Sequence, residues 1–192
     1  MNDFIFATHN SHKALELQAM LPKMQIKTLT DLGHHDDIPE TASSLEGNAL
    51  LKAETSHKLF GGLVIADDTG LEVEALNGAP GVRSARYAGT PKNDTKNLEK
   101  LLESLKNEEN RCAQFRTVIC LYGLEKPHFF EGIVQGVILE KRQGIGGFGY
   151  DPVFMPDGYS VSFAELPMEV KNRISHRGLA VQKLVEYLQN PY

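Results

Sequence analysis

Apolar residues along the chain fall into short runs and helical stripes. Phe4-Ile5-Phe6-Ala7 has the length and composition of a buried first strand. A helix is expected from about His12 to Leu21, with Leu17, Met20 and Leu21 on one face and Pro22 as its stop. Gln25–Leu29 reads as a second strand, and Asp31–Ala42 as an acidic, irregular stretch. Ser43-Ser44-Leu45-Glu46 has the S-x-x-E form of a capping box, so a helix should run from Ser44 to Phe60 and end at Gly61-Gly62. Leu63-Val64-Ile65-Ala66 is another buried strand, leading into Asp67-Asp68, with Thr69-Gly70 allowing a tight turn after it. Asn77–Gly81 is turn-rich, and Leu98, Leu101, Leu102 and Leu105 mark an amphipathic helix. Strands near Ala113–Tyr122 and Phe129–Glu140 flank a hairpin connection at Gly123–Pro127. A last helix spans His176 to Gln189 on Val181, Leu184, Val185 and Leu188. The order predicts an α/β fold, a mixed central sheet with flanking helices. No repeat, linker or domain boundary divides residues 1–192.

Composition narrows the classes. With 192 residues, 41% hydrophobic and 23% charged, the chain suits one soluble domain, which buries roughly 70% of its unfolded surface. The net charge of −5 argues against a nucleic-acid-binding surface. An anionic small molecule would have to be met by a local cluster of donors. Cys112 and Cys120 fall on one expected strand. Eight strand residues span roughly 27 Å, too far for a disulfide. Unpaired thiols without a signal peptide point to the cytoplasm, and no apolar run approaches a membrane span.

Four segments carry candidate chemistry. Asp67-Asp68 at a strand end needs a cation or strong donors if buried. Mg²⁺ would suit the pair, since it takes one or two carboxylates plus phosphates and water; a solvated Asp turn is the plain alternative. Thr8-His9-Asn10-Ser11-His12-Lys13 joins the first strand to a helix N-terminus, a natural phosphate site. It lacks the Walker A frame, and an ordinary cap by Asn10 or Ser11 explains it equally well. Gly144–Gly149 is the most glycine-dense stretch, and Phe148 or Tyr150 beside it offers a ring to a base. It does not fit a Rossmann fingerprint, because no helical pattern opens after it; a hairpin tip with two core aromatics stays open. His176 and Arg177 stand against the dipole at a helix N-terminus, a broken local rule that hints at function; a surface His-Arg pair is the plain alternative.

Together these segments resemble the inosine/xanthosine triphosphate pyrophosphatase family, the non-canonical purine NTP pyrophosphatases. The resemblance rests on 8–13, on Asn48-Ala49-Leu50-Leu51-Lys52-Ala53, on Ala66–Leu71, on Gly78–Tyr87, on Gly146–Pro152 and on Ser175–Gly178, in the family's order. It implies two lobes around a substrate cleft, a homodimer, and hydrolysis of ITP, dITP and XTP to the monophosphate and pyrophosphate with Mg²⁺. It implies Asp68 as catalytic carboxylate and metal ligand, and Glu40 as the second metal ligand. Thr8, His9, Asn10, Ser11, His12, Lys13 and Thr69 would hold the triphosphate. Phe148, Gly149, Tyr150, Asp151, Lys171, His176 and Arg177 would frame the nucleoside, with Arg177 reading the 6-keto group. Two departures stand out. His9 replaces a frequent Gly, which matters if that position needs φ > 0. Gly47 replaces a Glu before Asn48, which would weaken metal binding if that Glu is a ligand; Glu46 is read instead as the capping-box partner of Ser43. The alternatives from other classes are a non-catalytic purine nucleotide-sensing domain and a phosphohydrolase of different bond choice.

Overall fold

The apolar run at Phe4 becomes the inner strand of a seven-stranded mixed sheet in the computed structural model, which describes residues 3–189. The elements are β1 (Phe4–Phe6), α1 (Ser11–Met20), β2 (Ile26–Thr28), α2 (Leu45–Phe60), β3 (Leu63–Val73), β4 (Pro80–Gly81), α3 (Asp94–Ser104), β5 (Cys112–Tyr122), β6 (His128–Ile138), β7 (Phe154–Pro156), α4 (Met168–Ile174) and α5 (His176–Gln189). The strand order is β2-β1-β3-β5-β6-β7, with β4 paired to β3. β1 is parallel to β2 and to β3, with Phe6 opposite Thr28 and Ile65. β4 is antiparallel to β3, and β7 to β6.

The chain forms two compact units. Among the described residues, one holds 3–68, 117–132 and 177–189, the other 69–116 and 133–176, so β3, β5 and β6 contribute to both. In the first unit, successive residues of β3 enter different clusters, as the period of two in a strand requires. Ile65 joins Phe4, Phe6, Leu17, Ala180, Val181 and Leu184, the face of α1 and α5. Val64 and Ala66 join Ala7, Ala49, Ala53 and Cys120, the face of α2. In the second unit, Leu98, Leu101 and Leu105 pack with Leu71, Phe115, Phe154 and Phe163.

Most expected elements form, and their ends shift by a residue or two. Three expectations are corrected. Asp67-Asp68-Thr69-Gly70 is not a turn, because β3 runs straight through it to Val73. Gly70 serves close backbone approach: a Cβ there would lie 2.9 Å from the Gly81 carbonyl oxygen of β4. The capping box does not close either. Ser44 is the N-cap of α2 and accepts from the Gly47 amide, so the residue that would have to reach back is a glycine. Finally, β4, β7 and α4 were not foreseen. The two strands have only two or three residues, and α4 buries only Lys171, so it carries no apolar stripe. Cys112 and Cys120 both lie on β5 and are both free, as expected.

Candidate active site

Strand alternation divides the acidic pair. Asp68 follows Ala66 onto the α2 face, where Asn48 Nδ2 donates to its Oδ2 at 3.0 Å and Lys52 Nζ to its Oδ1 at 3.3 Å. α2 presents these two because Leu45, Asn48, Ala49, Lys52, Ala53 and Ser56 share its buried stripe. Asn48 Oδ1 also accepts the Ala42 amide at 2.9 Å, which ties the acidic segment to the strand. Gly47 makes room for that tie, since a Cβ there would stand 2.6 Å from Ala42 Cβ. Lys52 Nζ further donates to Glu40 Oε1 at 2.7 Å, so one ammonium bridges the two carboxylates. Burial raises the Asp68 carboxyl pKa above its ordinary value, helped by Glu40 and opposed by Lys52 and Lys13. Burial works against the Lys52 ammonium, but the charges of Asp68 and Glu40 outweigh it and its pKa rises.

Asp67 follows Ile65 onto the opposite face. Lys13 of α1 donates to its Oδ1 at 3.0 Å, and Arg177 of α5 donates to its Oδ2 through Nε and Nη2, both at 3.2 Å. Arg177 Nη1 donates to Glu16 of α1. Burial pushes the Asp67 carboxyl up, yet Lys13, Arg177 and Lys52 together hold it well below the usual carboxylate range. Burial lowers the Lys13 pKa, only partly offset by Asp67. Lys13 is delivered by the 8–13 connection. There Asn10 caps α1, accepting from the His12 and Lys13 amides, and Thr8 Oγ1 accepts from the Asn10 amide. The ordinary-cap reading of Asn10 therefore holds, and Ser11 and His12 are exposed above it. His9 is not at positive φ. Its ring stacks on His34 at 6.0 Å between centroids, and its Nε2 lies 3.0 Å from the Asp36 carbonyl oxygen.

The second unit gathers another set. Lys171 Nζ donates to Asp151 Oδ2 at 2.8 Å, and the Phe148 amide donates to the same oxygen at 2.8 Å. Gly147 must be glycine here, because its φ is +70° and a Cβ would stand 2.8 Å from Asp151 Cβ. The Lys171 ammonium lies 5.0 Å from the centre of the half-buried Phe148 ring. Tyr150 is buried and donates to the Ser84 carbonyl at 2.8 Å, which makes it a structural member of this group. His176 is buried and stacks on Phe115 at 4.6 Å. Gly149 has φ +60° in the connection, and Thr69 is half-buried on β3.

Several participants escaped the sequence reading. The resemblance includes Asn48 and Lys52 without a role for either, and it does not include Glu16. Their signal was a polar or charged residue at helical spacing within an apolar stripe, a conflict that marks functional or strained positions. Among the described residues no group of three or more His, Cys, Asp or Glu is arranged to hold a metal ion. A hard cation that takes one or two carboxylates and completes its shell with water and phosphate asks for less. Glu40 and Asp68 already lie within 3.3 Å of one cationic nitrogen, which fits that demand.

The chain is similar to known proteins along nearly its whole length. The Ham1 family model matches residues 4–187. A dITP/XTP pyrophosphatase of Porphyromonas gingivalis is 55% identical over 190 residues, 98% of each chain. Another from Flavobacterium psychrophilum is 52% identical over 187 residues, 97% of this chain and 98% of its own. The solved Ham1 protein of Staphylococcus aureus is 40% identical, with 99% of this chain and 100% of that chain covered, and superposes with a TM-score of 0.88. The HAM1 protein of Coxiella burnetii gives 0.89 at 37% identity, covering 98% of this chain and 99% of its own.

Proposed function

The chain belongs to the Ham1 family, and from that premise we propose that the cluster around Asp68 is the active site of a nucleoside-triphosphate pyrophosphatase. The enzyme hydrolyses non-canonical purine nucleoside triphosphates, namely ITP, dITP and XTP, to the monophosphate and pyrophosphate, and so removes deaminated purines from the nucleotide pool. The observation that carries this reading is the Lys52 ammonium bridging Glu40 and Asp68, with the cation of Lys13 held on the neighbouring Asp67.

Water attacks the α-phosphorus and pyrophosphate leaves. Asp68 takes the proton from that water; its raised pKa makes it a better base than an ordinary carboxylate. Lys13 and Lys52 offset charge on the phosphates and the leaving group. Glu40 and Asp68 are the proposed ligands of Mg²⁺, which when bound supplies Lewis-acid neutralisation of the triphosphate. Ser11, His12 and Thr69 are proposed to add polar contacts to the triphosphate, with Thr8, His9 and Asn10 shaping the connection that carries them. For the nucleoside, the proposed contacts are the Phe148 ring for stacking and Lys171 with Asp151 for polar recognition. Gly149 and Tyr150 shape that loop, and His176 backs it against Phe115. Arg177 is bound to two carboxylates, which favours a role in the phosphate half over reading the base. A homodimer in the cytoplasm, acting on free nucleotides and not on nucleic acid or membranes, completes the proposal; the net charge of −5 supports the choice of free nucleotides.

Incubation of dITP with the protein and Mg²⁺, with separate detection of pyrophosphate and orthophosphate, tests this reading. Pyrophosphate with deoxyinosine monophosphate is the expected pair of products.

A further inference from the structure

Buried charge is costly, and four charged side chains lie together on the α1–α5 face of β3. Asp67 and Arg177 are each 2% exposed, Glu16 7%, and the Lys13 side chain 16%. Their formal charges cancel. Several kcal/mol of desolvation per ion would be avoided by apolar residues of similar volume, and the surrounding residues Leu17, Ile65 and Val181 are of that kind. The network has a definite order. Glu16 holds Arg177 Nη1, Arg177 spans to Asp67 Oδ2 through Nε and Nη2, and Asp67 Oδ1 holds the Lys13 ammonium. Glu16 and Lys13 stand three residues apart on α1, so the relay starts and ends on the same helix. Only Lys13 lies in the 8–13 connection. Asp67 faces away from the α2 side, where Asp68 meets Glu40 through Lys52.

We propose that Asp67, Arg177 and Glu16 are positioning residues that fix the Lys13 ammonium for the triphosphate, and that Asp67 is not a metal ligand. This rests on the phosphate-binding reading of Lys13 given above. Arg177 clamps both Asp67 and Glu16, so a lysine ammonium on a flexible stem is held by a rigid guanidinium fork two bonds away. A misplaced charged group beside reacting phosphates costs rate steeply.

The test is a double-mutant cycle on the full chain, with Lys13→Ala, Glu16→Gln and the double variant, each checked for folding by circular dichroism and thermal melting. Glu16→Gln is expected to lower kcat/KM for dITP by about tenfold or more and to leave the Lys13→Ala enzyme unchanged within about twofold. Asp67→Asn is expected to behave in the same way while its Mg²⁺ affinity, measured by calorimetry without nucleotide, stays within about threefold of the parent. Binding of inorganic tripolyphosphate, read by calorimetry, should weaken in Glu16→Gln as it does in Lys13→Ala. Four results would overturn the proposal. They are additive losses in the cycle, a folded Glu16→Gln enzyme with parental kcat/KM, loss of Mg²⁺ binding in Asp67→Asn, or failure of both isosteric variants to fold, which would make the network structural. If the parent protein releases no pyrophosphate from dITP, the functional reading fails, and the tripolyphosphate comparison still decides the fate of the positioning assembly.

Discussion

At the scale of single residues, β3 gives its two adjacent carboxylates opposite conditions. Asp67 is surrounded by cations and stays ionised, while burial and Glu40 raise Asp68 toward the protonated form. Asp68→Asn keeps the volume but removes the proposed base and metal ligand. It should fold and lose more than about a hundredfold in kcat; turnover within about tenfold of the parent would remove Asp68 from its role. With Asp68 as a metal ligand, as proposed, metal binding displaces its proton. Mg²⁺ affinity should therefore start to fall, as pH is lowered, at a higher pH than the ordinary carboxylate value of 3.8 implies. Calorimetric titrations in buffers of different ionisation enthalpy read the released proton directly; no release at any pH would contradict the raised pKa. Selectivity is also a residue-scale matter. Lys171, the donor proposed for polar recognition of the base, would lose a partner in adenine at about 1–3 kcal/mol. ITP should therefore exceed ATP in kcat/KM by on the order of ten- to a hundredfold, and equal rates would refute donor recognition.

At the scale of elements, much was readable and the failures have physical causes. The stripes of α2, α3 and α5 repeat over about two turns or more, so their positions followed from the apolar pattern. β4 and β7 exist through pairing with β3 and β6, a long-range cause that two or three residues cannot express. Asp67-Asp68 reads as a turn because charged residues seldom occupy the middle of a buried strand. Here Lys13, Arg177, Asn48 and Lys52 supply the partners, and they come from three helices remote in sequence. The family resemblance implied roles for Asp68, Glu40 and Lys13, whereas Lys52 and Glu16 needed the folded helices to show which way they face. Two substitutions check the element boundaries. Ser44→Ala removes the observed cap of α2 and should cost about 1 kcal/mol in denaturant unfolding, while Ser43→Ala should cost almost nothing. Gly123, with φ +104°, joins β5 to β6 against the Gly62 carbonyl. Gly123→Ala should lose about 2 kcal/mol or more, and a parental midpoint would show that this connection yields.

At the scale of the whole molecule, the charge of −5 gives a triphosphate no long-range attraction, so the proposal rests binding on the local cations Lys13 and Lys52. The family relationship extends over residues 4–187, and the helices and strands that build the Asp68 cluster all lie within that span. The central claim is the choice of bond, between the α- and β-phosphates. Its most direct measurement is the stoichiometry of products from dITP with Mg²⁺, with pyrophosphate and orthophosphate quantified separately in one reaction. One pyrophosphate per deoxyinosine monophosphate, with no orthophosphate, is the expected result. Orthophosphate with accumulating diphosphate, or tight binding of dITP without turnover, would contradict it.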